Sequence, residues 1–147
     1  MNKKTTVEVY LDFRKFEPDW DFSLTAITDK LEISPTETVK VDEWATSKRR
    51  STITQWQYST GVIETTDFEK ELQKVVSIFK NKVDIINELK DELGLKTSFC
   101  AVTNVYDGRS PGYSFPIEVM KFAVSIDTLI EIDEYVYGFS EDDLDDE

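Results

Sequence analysis

The 147-residue chain contains no histidine and a single cysteine, Cys100, so the side chains that most often carry acid–base, nucleophilic and zinc chemistry are almost missing. A Ser-His-Asp triad, a Cys-His pair or a histidine-containing metal site cannot be assembled from it. One cysteine cannot form an intramolecular disulfide, which fits a reducing, cytoplasmic setting. No apolar run approaches the ~18 residues that would suggest a membrane span, and the N-terminus leads into an alternating segment rather than an apolar signal core. These absences point to a soluble binding protein rather than to catalysis, and no cofactor is expected.

What is present is a globular composition, with 39% hydrophobic and 12% aromatic residues. A single domain of this length buries roughly 68–70% of the surface of its unfolded chain, enough for a core without staples. The formal charge is −13, and six of the last seven residues are acidic, leaving −7 for the other 140. Like charges at that density repel one another and bury nothing, so one domain over residues 1–138 followed by a solvated acidic tail over 139–147 is expected. The acidic body favours cationic partners over nucleic-acid backbones or acidic lipid surfaces. The basic cluster Lys48-Arg49-Arg50 is short, lacks an aromatic ladder and falls in a predicted hairpin loop.

Local patterns then place the elements. Val7, Val9, Leu11 and Phe13 alternate with polar residues, apart from Tyr10, and describe a strand with one buried face. Ser23 precedes Leu24, Ile27 and Leu31 at helical spacing, which makes it an N-cap for a short helix that is over by Ser34-Pro35. Thr38 to Glu43 and Thr52 to Thr60 read as a hairpin. Thr66 or Asp67 caps a long helical stretch whose apolar stripe runs from Leu72 to Leu93, with a break near Asn81 and Gly94 as C-cap. Phe99 to Tyr106 is a strand, Pro116 opens a helix through about Ser125, and Thr128 to Tyr137 is a final strand.

The order β-α-β-β-α-β-α-β predicts an α+β fold, a two-layer sandwich that is ferredoxin-like with an added βαβ unit. An internal echo supports a duplicated strand-loop-helix-strand piece: Phe22 to Ile33 resembles Tyr113 to Ile126, each preceded by a strand and a long loop. Two right-handed copies would bring both long loops to one edge of the sheet, the expected working surface.

The segment Ile27-Thr28-Asp29-Lys30-Leu31-Glu32-Ile33-Ser34-Pro35-Thr36, the later Trp56, the helix end Glu92-Leu93-Gly94-Leu95 and the loop Asp107-Gly108-Arg109-Ser110-Pro111-Gly112 occur in one order. Over residues 5 to 138 the chain resembles an uncharacterised bacterial family, domain of unknown function 4279. Where such families often carry a glycine in the turn before Pro35-Thr36, this chain has Glu32, and its acidic tail lies outside the pattern. The resemblance implies a small bacterial cytoplasmic domain, with toxin-immunity neighbourhoods for some members, and implies no catalytic residue.

Gly108-Arg109-Ser110-Pro111-Gly112 matches the G-x-S-x-G nucleophile elbow, but no histidine exists to deprotonate Ser110. Pro111 also lacks the N–H an oxyanion hole needs, so the segment reads as a turn. Asp12, Glu17, Asp19 and Asp21 could gather around a cation, yet they lack the frame of a calcium loop, and no metal site is expected. Cys100, in an apolar strand, reads as a small buried hydrophobe and Trp56 as a core or sheet-face residue. The candidate partner-binding residues are the polar-aromatic group Asp19, Trp20 and Asp21, together with Trp44, Arg109 and Tyr113.

The leading expectation is a non-enzymatic bacterial protein-binding domain, an immunity-type inhibitor that covers a cationic toxin surface with an acidic one. The alternative is a small ligand-binding domain or carboxylate-dependent enzyme with its site between the two long loops. A nucleic-acid mimic, whose acidic face occupies a DNA- or RNA-binding protein, is a third.

Overall fold

The computed structural model describes residues 3–15, 20–42 and 49–138, together with the backbone of 44–46. The expected acidic tail, 139–147, lies outside the described residues. Strand β1 (Thr6–Arg14) buries Val7, Val9, Leu11 and Phe13 on one face, as its alternation requires. Helix α1 (Leu24–Leu31) begins where the Ser23 hydroxyl accepts the Ala26 N–H at 3.2 Å, and it ends on Glu32 in the left-handed conformation, φ 59°. Strand β2 (Glu37–Val39) is short, and three residues beyond it the chain turns at Asp42, φ 68°.

The predicted charged loop carries a small hairpin of its own, β3 (Trp44–Thr46) with β4 (Arg49–Arg50). Strand β5 (Gln55–Ser59) returns antiparallel to β2, pairing Thr38 with Trp56, so the expected hairpin is present with shorter strands. After Gly61 turns at φ 76°, β6 (Ile63–Glu64) continues along the same side of β1.

Helix α2 (Phe68–Phe79) is capped by Asp67, which accepts the Lys70 N–H at 3.2 Å. A 3₁₀ turn over Lys80–Lys82 separates it from α3 (Val83–Leu93), at the expected break, and Gly94 closes α3 at φ 66°. Strand β7 (Lys96–Val105), helix α4 (Ile117–Ser125) and strand β8 (Ile130–Val136) complete the chain. Strand β7 starts three residues earlier than its apolar run suggests, because Lys96, Thr97 and Ser98 pair with Arg14, Phe13 and Asp12.

The fold is α+β. Among the described residues a mixed six-stranded sheet runs β2-β5-β1-β7-β8, with β6 also on β1. Inward side chains of β1, β5 and β7 form one core with Ile27 and Leu31 of α1, Phe68 to Phe79 of α2, Ile86 and Leu89 of α3, and Val119 and Phe122 of α4. Trp56 sits at its centre, edge-on to Phe13 at 5.5 Å and to Phe79 at 6.3 Å between ring centroids. The opposite face of the sheet carries mostly polar side chains.

Both strand-loop-helix-strand units exist, but they point in opposite directions. Strand β8 lies beside β7 and parallel to it, forming the expected βαβ unit, whereas β2 reaches the direction of β1 across the intervening β5. Strands β1 and β7 are antiparallel, Arg14 pairing with Lys96 and Thr6 with Asn104. The loop after β1 therefore leaves one end of the sheet and the loop after β7 leaves the other, where Thr5 Oγ1 donates to the Arg109 carbonyl at 2.7 Å. The expectation of a shared edge for the two long loops is corrected by this register.

Candidate binding surface

Alternation along β1 puts Glu8, Tyr10, Asp12 and Arg14 on the face away from the helices. Register places Cys100 beside Tyr10 and Ser98 beside Asp12. Strand β8 then adds Glu131 beside Cys100 and Asp133 beside Val102. The result is a row, Tyr10-Cys100-Glu131, that crosses three strands. Together with Arg14, Lys96, Ser98 and Asp133 it lines an open depression of about 410 Å³.

Asp12 lies in this face between Tyr10 and Arg14 and is only 1% exposed. Its Oδ2 accepts from Arg14 at 3.0 Å, while Oδ1 has no hydrogen-bond partner. Burial pushes the Asp12 carboxyl above the ordinary carboxylate range; the Arg14 guanidinium opposes that rise and nearby Glu131 adds to it. Burial is also the first cause that raises Tyr10, and the neighbouring Cys100 adds to the rise. The Cys100 thiol is raised by burial as well, with Asp133 and Glu131 adding to the shift. Cys100 is buried, as expected of a small apolar side chain, but among acids and a phenol. A thiol held protonated in this way is a poor nucleophile.

Beyond the depression, β8 forms the rim of the sheet. Every residue from Glu131 to Gly138 is exposed. Glu131 and Asp133 project on the polar face, while Ile132, Glu134 and Val136 project on the helix side. Glu134 accepts a hydrogen bond from the Tyr113 hydroxyl.

Of the candidate residues named from sequence, those described do not converge: Trp20 and Asp21 follow β1 at one end of the sheet, and Arg109 and Tyr113 follow β7 at the other. Asp19 lies outside the described residues, as does the side chain of Trp44, whose backbone belongs to β3. Trp20 is half-buried. Asp21 ties its loop to the ends of β2 and β5: Oδ1 accepts from Thr54 Oγ1 at 3.0 Å and from the Phe22 N–H at 2.9 Å, and the Lys40 ammonium lies at 2.5 Å. The Lys40 hydrogen bond holds its carboxyl below the usual range. Arg109 is exposed at the opposite end of the sheet. Tyr113 is half-buried, with its ring 5.1 Å from Phe68 and its hydroxyl 2.8 Å from Thr103 Oγ1.

Of the four acids considered for a cation, Glu17 and Asp19 are outside the described residues, while Asp12 and Asp21 have the separate partners given above. Among the described residues no group of three or more Cys, Asp or Glu side chains is placed to hold a metal ion. Nor is any helix among them long and apolar enough to cross a membrane. The elbow-like loop is built on turn geometry, with Asp107 and Gly108 at φ 54° and 69°, and Ser110 Oγ donates to the Pro111 carbonyl at 3.2 Å. The cluster around Asp12 escaped the sequence reading because its members join only through strand pairing. The available signal was the polar alternation Glu8, Tyr10, Asp12, Arg14.

Residues 4–137 match the family model described as Domain of unknown function (DUF4279), and the chain belongs to that family. No curated protein and no solved structure matches it.

Proposed function

We propose that this DUF4279 domain is a non-enzymatic bacterial binding module, working in the cytoplasm, that takes a cationic protein on the acidic rim of its sheet, as an immunity-type inhibitor would. The observation that carries this reading is the run of exposed acids on β8, Glu131, Asp133 and Glu134, at the margin of a chain with formal charge −13. Such a field accelerates encounter with basic surfaces and repels nucleic-acid backbones. The test compares wild type with a triple variant, Glu131→Gln, Asp133→Asn and Glu134→Gln, as bait in the host lysate. Wild type should retain one basic protein that the variant loses, and the association rate should fall roughly tenfold as salt shortens the screening length to below ~10 Å. A partner held equally by both baits, at a rate indifferent to salt, would reject the reading.

A second reading draws support from the unpartnered Asp12 Oδ1 beneath the depression on the polar face. There a small polar ligand would meet Arg14, Glu131 and Asp133, which moves the ligand-binding alternative away from the two loops. A metabolite screen by thermal shift, repeated on Asp12→Asn, separates the two: a ligand that stabilises wild type but not the variant favours this second reading.

A further inference from the structure

We infer that the open edge of β8 is a strand-addition site for an extended segment of a cationic partner, in which basic and apolar residues alternate. This rests on the reading above and specifies how the partner would be held. Among the described residues β8 pairs with β7 alone, so its other side has no strand neighbour. The Tyr137 N–H donates to the Val105 carbonyl at 2.9 Å, toward β7. Backbone groups alternate along a strand, so those of Glu131, Asp133 and Tyr135 also face β7, and those of Ile132, Glu134 and Val136 face outward. Natural edges are commonly protected by charged side chains, lysine above all, by proline or by a bulge; the acids of β8 guard it against acidic strands but not against a basic one. Strand β8 contains neither lysine nor proline, and its register with β7 runs unbroken from Ile130 to Val136.

Side chains beside this edge define what fits it. On the polar face stand Glu131 and Asp133; on the helix face stand Ile132 and Val136, 37% and 67% exposed, with Glu134 between them bonded to the Tyr113 hydroxyl. An incoming strand with Lys or Arg at alternate positions would meet the acids, and apolar residues between them would meet Ile132 and Val136. A second copy of β8 fits poorly. Antiparallel self-pairing centred on Asp133 sets that residue against its own copy and Ile132 against Glu134. Centring on Ile132 opposes Glu131 to Asp133, and centring on Glu134 opposes it to itself. These three arrangements place like charges in direct opposition, which is destabilising, and centring on Tyr135, which avoids it, pairs only Glu134 to Val136 of the strand.

The probe is a capped seven-residue peptide of alternating lysine and valine, equal in length to β8. It is titrated into the ¹⁵N-labelled full chain. Saturable shifts and slowed exchange at the Ile132, Glu134 and Val136 amides are expected. Ile132→Pro, which removes an outward N–H, should weaken binding by about tenfold or more relative to Ile132→Ala. Should the proline variant fail to fold, methylating the peptide's own edge-facing amides gives the same comparison on unaltered protein. Binding that ignores both backbone blocks, but is lost when Glu131 and Asp133 are neutralised, overturns strand addition and leaves the cationic-partner reading standing. Binding indifferent to the acids overturns that reading as well. No shifts at millimolar peptide, or protection of these amides in a dimer without peptide, also overturns the proposal.

Discussion

The indole N–H of Trp56 donates to Thr28 Oγ1 at 3.0 Å, fastening β5 to α1 across the core. Trp56 is fully buried, so its N–H has no access to water once that acceptor is removed. Thr28→Val keeps the shape and the β-branching of the side chain while deleting the oxygen. The variant should lose about 1–3 kcal/mol, the cost of leaving a buried donor unsatisfied. Urea unfolding measures it directly, and a loss below ~0.5 kcal/mol would show that the bond contributes little.

Glu32 offers the opposite sign. It occupies φ 59°, ψ 33° at the end of α1, where a Cβ crowds the backbone and glycine does not. Its ion pair with Lys82 is 3.7 Å long with the Glu32 side chain 81% exposed, so little is forfeited by removing it. Glu32→Gly should raise stability by about 0.5–1 kcal/mol, and Glu32→Ala should not. The control matters because it separates backbone conformation from the loss of charge. Equal effects of the two substitutions would assign the change to the side chain instead.

The parts of the fold that depend on local period were legible in the sequence. The alternation from Val7 to Phe13, the caps at Ser23, Asp67 and Gly94, and the break near Asn81 each follow from residues within a turn or two of one another. The relative direction of distant strands was not. Nothing local says that Arg14 pairs with Lys96 rather than with a residue near Asn104, and that choice sends the two long loops to opposite ends of the sheet. The same long-range register brings Tyr10, Cys100 and Glu131 into one row, so this surface could be found only by pairing strands. Family resemblance covered nearly the whole domain and was confirmed, but it carried no site residue.

Tyr113 illustrates how a loop aromatic named as a partner anchor can be employed inside its own chain. Its hydroxyl lies 2.8 Å from Thr103 Oγ1 and donates to Glu134, and its ring meets Phe68 edge-on. Tyr113→Phe keeps the ring contact and removes the hydroxyl, leaving the fully buried Thr103 side chain with one partner fewer. A loss of about 0.5–1.5 kcal/mol is expected by urea unfolding. If Tyr113 serves a partner instead, stability will hold and association will weaken.

The buried carboxyl of Asp12 sets a pH dependence whose direction is determined by its surroundings. Burial raises its folded-state pKa more than the Arg14 guanidinium lowers it, so the folded protein holds this proton more tightly than the unfolded chain does. Below the ordinary carboxylate pKa of about 3.9 the group is neutral in both states and contributes no penalty. As pH rises through that value and then through the higher folded-state pKa, the cost of burying the charge develops, and it is complete above the latter. Asp12→Asn removes the charge while keeping an oxygen for Arg14. The variant should therefore match wild type near pH 4 and exceed it by on the order of 1 kcal/mol at neutral pH. Urea midpoints of the two proteins between pH 4 and pH 8 test this. A variant less stable than wild type at neutral pH would mean that the 3.0 Å pairing with Arg14 outweighs burial, reversing the direction assigned to Asp12.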